Sequence, residues 1–168
     1  MSNRSKTEQV RATTLADRTA IFLATGFGSG YFPVGPGTAG TVVAIPIYLL
    51  LVYYLELALT NYILVVLLIT VGSFFLAHRA GKHFGLVDAQ QIVIDEIAGF
   101  LITMVAAPRS WIWIIVGFLL FRLFDILKPW PASYFDTNGT GGFDVVMDDV
   151  MAGIYAMIII QLLSRLLS

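Results

Sequence analysis

The chain has 168 residues, of which 58% are hydrophobic and 12% charged, with a formal net charge of −1. A soluble domain carries about a quarter charged residues, so this composition excludes an ordinary water-soluble domain and indicates an integral membrane protein. The absence of cysteine removes disulfides, thiolate metal sites and cysteine nucleophiles.

Residues 1–19 are polar and include Arg4, Lys6, Arg11 and Arg18. They lack the apolar core and small-residue cleavage site of a signal peptide, and read as a cytoplasmic tail ahead of a single membrane-embedded catalytic domain, residues 20–168. Ile21 to Ala24 start a short helix. Residues 25–41 then carry six glycines and two prolines, a density that argues against regular helix. Irregular backbone is not tolerated facing lipid, so this stretch is expected as a re-entrant or interfacial loop. Residues 42–59 form the first apolar span, with Pro46 as a kink and Glu56 at the interface. Residues 62–77 form the second, followed by the polar cluster His78-Arg79-Ala80-Gly81-Lys82-His83 and a loop over 84–91. The third segment, 92–107, is shorter and contains Asp95-Glu96. Pro108-Arg109-Ser110 turns the chain into a fourth span, 111–127, whose Trp111 and Trp113 suit the membrane interface. A loop over 132–144 leads to a fifth segment, 145–167, which opens with Asp148-Asp149. A span needs about 20 apolar residues. The expected fold is therefore all-α: a small polytopic membrane helix bundle of about five membrane segments, with four as the alternative.

With the N-terminus in the cytoplasm, the tail, Arg79, Lys82, Arg122 and Lys128 fall on the cytoplasmic side, and only Arg109 and Arg165 on the other. That is the asymmetry the positive-inside rule expects. The same orientation gathers the glycine-rich stretch, the histidine cluster and all the acidic pairs on one face.

Arg122, Asp125 and Lys128 are three residues apart and share a helix face. Pro129 and Pro131 then stop the helix. A charged stripe at the end of a membrane-length segment is expensive unless it serves a function. Asp95, Glu96, Asp125, Asp148 and Asp149 put five carboxylates on one face, and their repulsion calls for a cation. Hard oxygen donors without cysteine suit Mg²⁺. Neighbours on a helix point about 100° apart, so one acid of each adjacent pair is expected to face the metal. The plainer alternative is that acids at helix starts complement the macrodipole and mark the membrane surface. Arg122 and Lys128 suit a phosphate, or snorkel to headgroups. Backbone N–H groups at Gly28, Gly30, Gly37 and Thr38 can cradle an anion, or the stretch is a packed connection. His78 and His83 are either a base or nucleophile, or merely interfacial. A small transporter or channel using the acids as an ion site is the alternative function.

Several stretches together resemble the phosphatidylglycerophosphatase A family of bacterial membrane lipid phosphatases. They are Gly26-Phe27-Gly28-Ser29-Gly30 through Pro33, Pro36-Gly37-Thr38-Ala39-Gly40-Thr41 and Asp95-Glu96-Ile97-Ala98-Gly99. Phe121-Arg122-Leu123-Phe124-Asp125 through Lys128-Pro129 and Pro131 follows, then Asp148-Asp149 with Ala152-Gly153. The resemblance runs from about Ala24 to the end of the chain. It implies Mg²⁺-dependent hydrolysis of phosphatidylglycerophosphate to phosphatidylglycerol and inorganic phosphate, in phospholipid biosynthesis, at the cytoplasmic face of the bacterial inner membrane. The five acids would then be catalytic metal ligands, with Arg122, Lys128 and the glycine stretch binding substrate. The expected partner is a phospholipid in the membrane, with no nucleic acid and no oligomeric state assigned. The chain lacks the Asp-x-Asp pattern of aspartate-nucleophile phosphatases and the Lys…Arg-Pro…Ser-Gly-His set of histidine-nucleophile lipid phosphatases. Metal-activated water is therefore the favoured nucleophile. The long acidic spacing of CDP-alcohol phosphotransferases is also missing.

Overall fold

A helix starts where its first N–H groups find an acceptor, and Thr14 supplies one. Asp17 N–H donates to Thr14 Oγ1 at 3.1 Å, and Thr14 N–H donates back to Asp17 Oδ2 at 2.9 Å. This box starts α1, Leu15–Ala24, inside the stretch expected as a tail. The computed structural model describes residues 14–86, 89–134 and 142–167. The expectations for residues 1–13 and for most of the 132–144 loop lie outside the described residues. Among the described residues there is no strand, in keeping with an all-α fold.

The glycine-rich stretch divides in two. Its first half is irregular, with one 3₁₀ turn at Ser29–Tyr31. Its second half is helical, which corrects the expectation of a loop through Thr41: α2 runs Pro36–Leu49. Gly35 takes the left-handed conformation at φ 66°, and Pro36 stands at the first helical position, where its missing N–H is harmless and its fixed φ favourable. Pro46 lies inside α2, and the helix continues as a wider π turn over Leu50–Tyr54.

The helix α3 is Leu59–Phe84 and takes in the polar cluster as its last turns; Gly85, at φ 73°, ends it. The helix α4 is Ile94–Thr103, α5 is Trp111–Leu127 and α6 is Gly142–Leu166. Among the described residues, three stretches are long and apolar enough to cross a membrane: Pro36–Tyr54, Leu59–Phe84 and Gly142–Leu166. With 17 residues, α5 sits at the lower limit for a span. With ten residues α4 is about 15 Å long, half a bilayer core, so the count of five full spans is not reached by length. Val105 O accepts a hydrogen bond from Gln161 Nε2, near the far end of α6, at 2.9 Å.

The half-length α4 is the hub. Seven of its ten residues are buried, and it packs on α2, α3, α5 and α6. Glycines let it meet α6 backbone to backbone: a Cβ on Gly99 would come 2.8 Å from Asp149 O, and one on Gly153 would strike Gly99 O. Tyr62 OH donates to Leu101 O at 2.8 Å across the core. Phe100, Leu101, Phe121 and Ile160 fill the centre, while Leu64, Leu68, Ile112 and Leu119 stay exposed on the outer face. This outward apolar surface suits lipid, not water.

Candidate active site

The α4–α6 seam decides where the acids meet. It sets the first turn of α4 beside the second turn of α6. Asp95, Glu96 and Asp149 each offer a carboxylate oxygen, and these oxygens lie within 4.8 Å of one another. Asp95 and Asp149 are buried, at 5% and 4% exposure. Charged carboxylates this close and this dry repel strongly unless positive charge lies among them. Glu96 Oε2 is buried and accepts no hydrogen bond from the described residues. An all-oxygen donor set with an unsatisfied buried acceptor fits a hard divalent cation. Both members of the first pair thus join the group. The second pair divides: Asp149 joins the group and Asp148 stands beside it, paired with Lys128.

The remaining acids each face a base. Arg122 Nη1 lies 2.6 Å from Asp125 Oδ2, with both side chains largely buried. That contact is close but lacks hydrogen-bond alignment, so Arg122 Nε and Nη1 donate to nothing among the described residues. Asp125 in turn stands beside Asp149 and Glu96. Lys128 Nζ lies 2.6 Å from Asp148 Oδ2. Lys128 ends α5 in the left-handed conformation, at φ 43° and ψ 58°, and its N–H donates to Phe124 O at 2.8 Å.

The start of α2 closes the site. The first helical bond here runs from Ala39 N–H to Gly35 O at 3.1 Å, which leaves Gly37 and Thr38 N–H without a carbonyl partner among the described residues. Gly37 meets the acids directly. A Cβ there would strike Glu96 Oε1 and come 3.2 Å from Arg122 Nη1. Gly30 packs instead against the Gln91 carbonyl, and Gly28, at φ 93°, has open space around it. His78 and His83 are exposed on α3 and outside the carboxylate group. The backbone of His78 is where Gly142 packs, and the ring of His83 meets Phe84 edge-on.

Tyr155 escaped the sequence reading. Its hydroxyl donates to Trp130 O at 3.0 Å, and its ring meets Phe124 edge-on. The signal was present, because Tyr155 follows Asp148 by seven residues, two turns along one helix face.

The phosphatidylglycerophosphatase A family model matches residues 22–164. The chain belongs to the phosphatidylglycerophosphatase A family. A phosphatidylglycerophosphatase A of Escherichia coli is 42% identical over 133 residues, covering 79% of this chain and 76% of its own length. A Haemophilus influenzae protein of the same name is 41% identical, covering 82% of this chain and 84% of its own length. A Bacteroides thetaiotaomicron relative, named provisionally as a phosphatidylinositol-3-phosphatase, is 38% identical, covering 83% of this chain and 90% of its own length. No solved structure matches the chain.

Proposed function

We propose that the chain hydrolyses the terminal phosphomonoester of phosphatidylglycerophosphate, releasing phosphatidylglycerol and inorganic phosphate in phospholipid biosynthesis. The observation that carries this reading is the joining, at one end of an apolar bundle, of a dense carboxylate group with a buried guanidinium that has donors to spare. The membership of the phosphatase family supports it. So does the basic side of the bundle, and on that asymmetry we read this end as facing the cytoplasm from the bacterial inner membrane.

Asp95, Glu96 and Asp149 would hold Mg²⁺, which when bound supplies Lewis-acid polarisation of the phosphoryl oxygens and an acidified water. The chain's own groups do the rest. Arg122 directs Nε and Nη1 to the phosphoryl oxygens, where charge is spread in the transition state. Asp125 keeps the guanidinium at this end of α5. The Gly37 and Thr38 N–H groups add donors at the positive end of α2. Burial of Asp95 and Asp149 keeps bulk water off, which strengthens each of these interactions. The acyl chains stay in the bilayer against the apolar outer surface.

A transporter is disfavoured by the middle of the bundle. The hydroxyls of Thr70 and Ser73 are spent on carbonyls of their own helix, and the Thr103 hydroxyl on those of Gly99 and Gly153. Phosphate release from the purified chain in detergent tests the proposal, with phosphatidylglycerophosphate, phosphatidate and phosphatidylinositol 3-phosphate compared with and without Mg²⁺. Preferred release from phosphatidylglycerophosphate, stopped by chelator, is expected. No release from any lipid overturns the activity, and full release in excess chelator overturns the metal.

A further inference from the structure

We infer that Asp148 is a positioning residue that acts through Lys128 and stands outside the metal-holding set. This rests on the phosphatase reading above. Five acids line this end of the bundle, but their surroundings differ. Both Asp148 oxygens are taken: Oδ2 by Lys128 Nζ at 2.6 Å, and Oδ1 by Asp149 N–H at 2.9 Å. It does not belong to the group formed by Asp95, Glu96 and Asp149. Neighbouring residues on a helix point about 100° apart, so α6 presents Asp149 to that group and Asp148 to the lysine.

The lysine is fixed from its backbone outward. It caps α5 in a left-handed conformation that few residues other than glycine adopt, and its N–H is bound to Phe124 O. Two residues on, the Trp130 carbonyl is held by Tyr155 OH at 3.0 Å, and the Tyr155 ring leans on Phe124 at 5.6 Å between centroids. Asp148 and Tyr155 lie on one face of α6, two turns apart. That face therefore grips both the ammonium and the turn that carries it. A lysine on a flexible stem at a membrane surface otherwise snorkels outward to lipid headgroups. Held inward beside the carboxylate group, Lys128 presents a point charge to a phosphate oxygen of the substrate. Asp148 supplies orientation, and Tyr155 supports the turn.

A double-mutant cycle with a metal-binding arm tests this in the full chain in detergent. Mn²⁺ affinity is measured by calorimetry, and kcat and KM with phosphatidylglycerophosphate, for Asp148→Asn, Lys128→Met, the double variant and Asp149→Asn. Partners that orient a functional group are worth about 10–100-fold when removed, and that loss of kcat/KM is expected for Asp148→Asn with Mn²⁺ affinity unchanged. In the Lys128→Met background the same change should cost nothing further, because the group it orients is gone. Asp149→Asn should abolish Mn²⁺ binding. Weakened Mn²⁺ binding in Asp148→Asn, or losses that multiply in the double variant, overturn the inference. Tyr155→Phe removes one hydroxyl and carries the same cycle if Asp148→Asn does not fold: its loss should likewise vanish in the Lys128→Met background. A wild-type chain that binds Mn²⁺ but releases no phosphate sinks the phosphatase reading, and the Mn²⁺ arm still decides whether Asp148 is a ligand.

Discussion

Gly37→Ala separates the chemistry of the site from the stability of the fold. The added methyl would strike Glu96 Oε1 and lie 3.2 Å from Arg122 Nη1. Both are the far ends of flexible side chains, so the clash resolves by swinging them aside and leaves the backbone in place. Gly37 is helical, so alanine is conformationally allowed, and the narrower unfolded ensemble contributes about 0.4–1 kcal/mol of stability. Activity should respond in the opposite sense. Moving Glu96 and Arg122 by about 1 Å costs on the order of 100-fold in rate, close to 2.7 kcal/mol of barrier. Phosphate release by Gly37→Ala should therefore fall about 100-fold while its thermal unfolding in detergent stays level or rises slightly. Gly30→Ala is the control. Its methyl would meet the backbone carbonyl of Gln91, which has no cheap way to move. That variant should unfold earlier than the parent, the opposite of Gly37→Ala. If Gly37→Ala keeps its rate within about threefold, the start of α2 is not part of the site.

Other substitutions probe other parts. Arg122→Lys should lose more kcat/KM than Lys128→Arg, because a guanidinium fork aligned on phosphate is harder to replace than a point charge; equal losses would refute this. Gly153→Ala should lower stability by about 1–3 kcal/mol, since its methyl would enter the Gly99 carbonyl and part α4 from α6. An unchanged melting temperature would mean the seam is looser than described. The Asp17 carboxyl is held down from 3.8 to about 2, first by its side-chain hydrogen bond with Thr14 and then by Arg79. Its contribution to stability is thus present above the ordinary value near 3.8 and is lost as pH falls towards 2. An NMR titration of Asp17 should show this midpoint, and Thr14→Ala should raise it more than Arg79→Ala does.

Element types were legible where composition is monotonous. The expected fourth span coincides with α5, Trp111–Leu127, because Ser110 and Pro129 bracket a run that is apolar except for Arg122 and Asp125. Helix starts were less so. The helix at Pro36 hides behind three nearby glycines, and recognising it requires weighing Pro36 as a first-position residue, not as a breaker. The short third segment could not be resolved by hydropathy. Its buried face in α4 is as apolar as a lipid-facing one, and only packing on four neighbouring helices tells them apart. The carboxylate types and their common end of the bundle follow from spacing and the positive-inside rule. Which acid turns inward does not, because it depends on the rotation of α6 set by Gly99 and Gly153 across the seam.

The glycine-rich stretch serves the site in two physical ways, and this division explains how acids become so deeply buried at the end of a membrane bundle. Its first half is a cover. Val93 N–H donates to Ala24 O at 2.9 Å, Gly30 lies against the Gln91 carbonyl, and a Cβ on Gly26 would be 2.8 Å from Val93 Cγ2. This irregular backbone thus sits on the entrance to α4, where protein rather than lipid satisfies its polar groups. Its second half is a donor. By opening as the first turn of α2, it turns a side-chain-free flank towards Glu96 and Arg122, beside N–H groups that have no carbonyl partner among the described residues. Neither role is available to a longer side chain at Gly30 or Gly37, because both rest on backbone approaching within contact distance. A half-length α4 completes the arrangement. Its packing on four neighbouring helices holds the acidic first turn inside the bundle rather than on its lipid-facing surface.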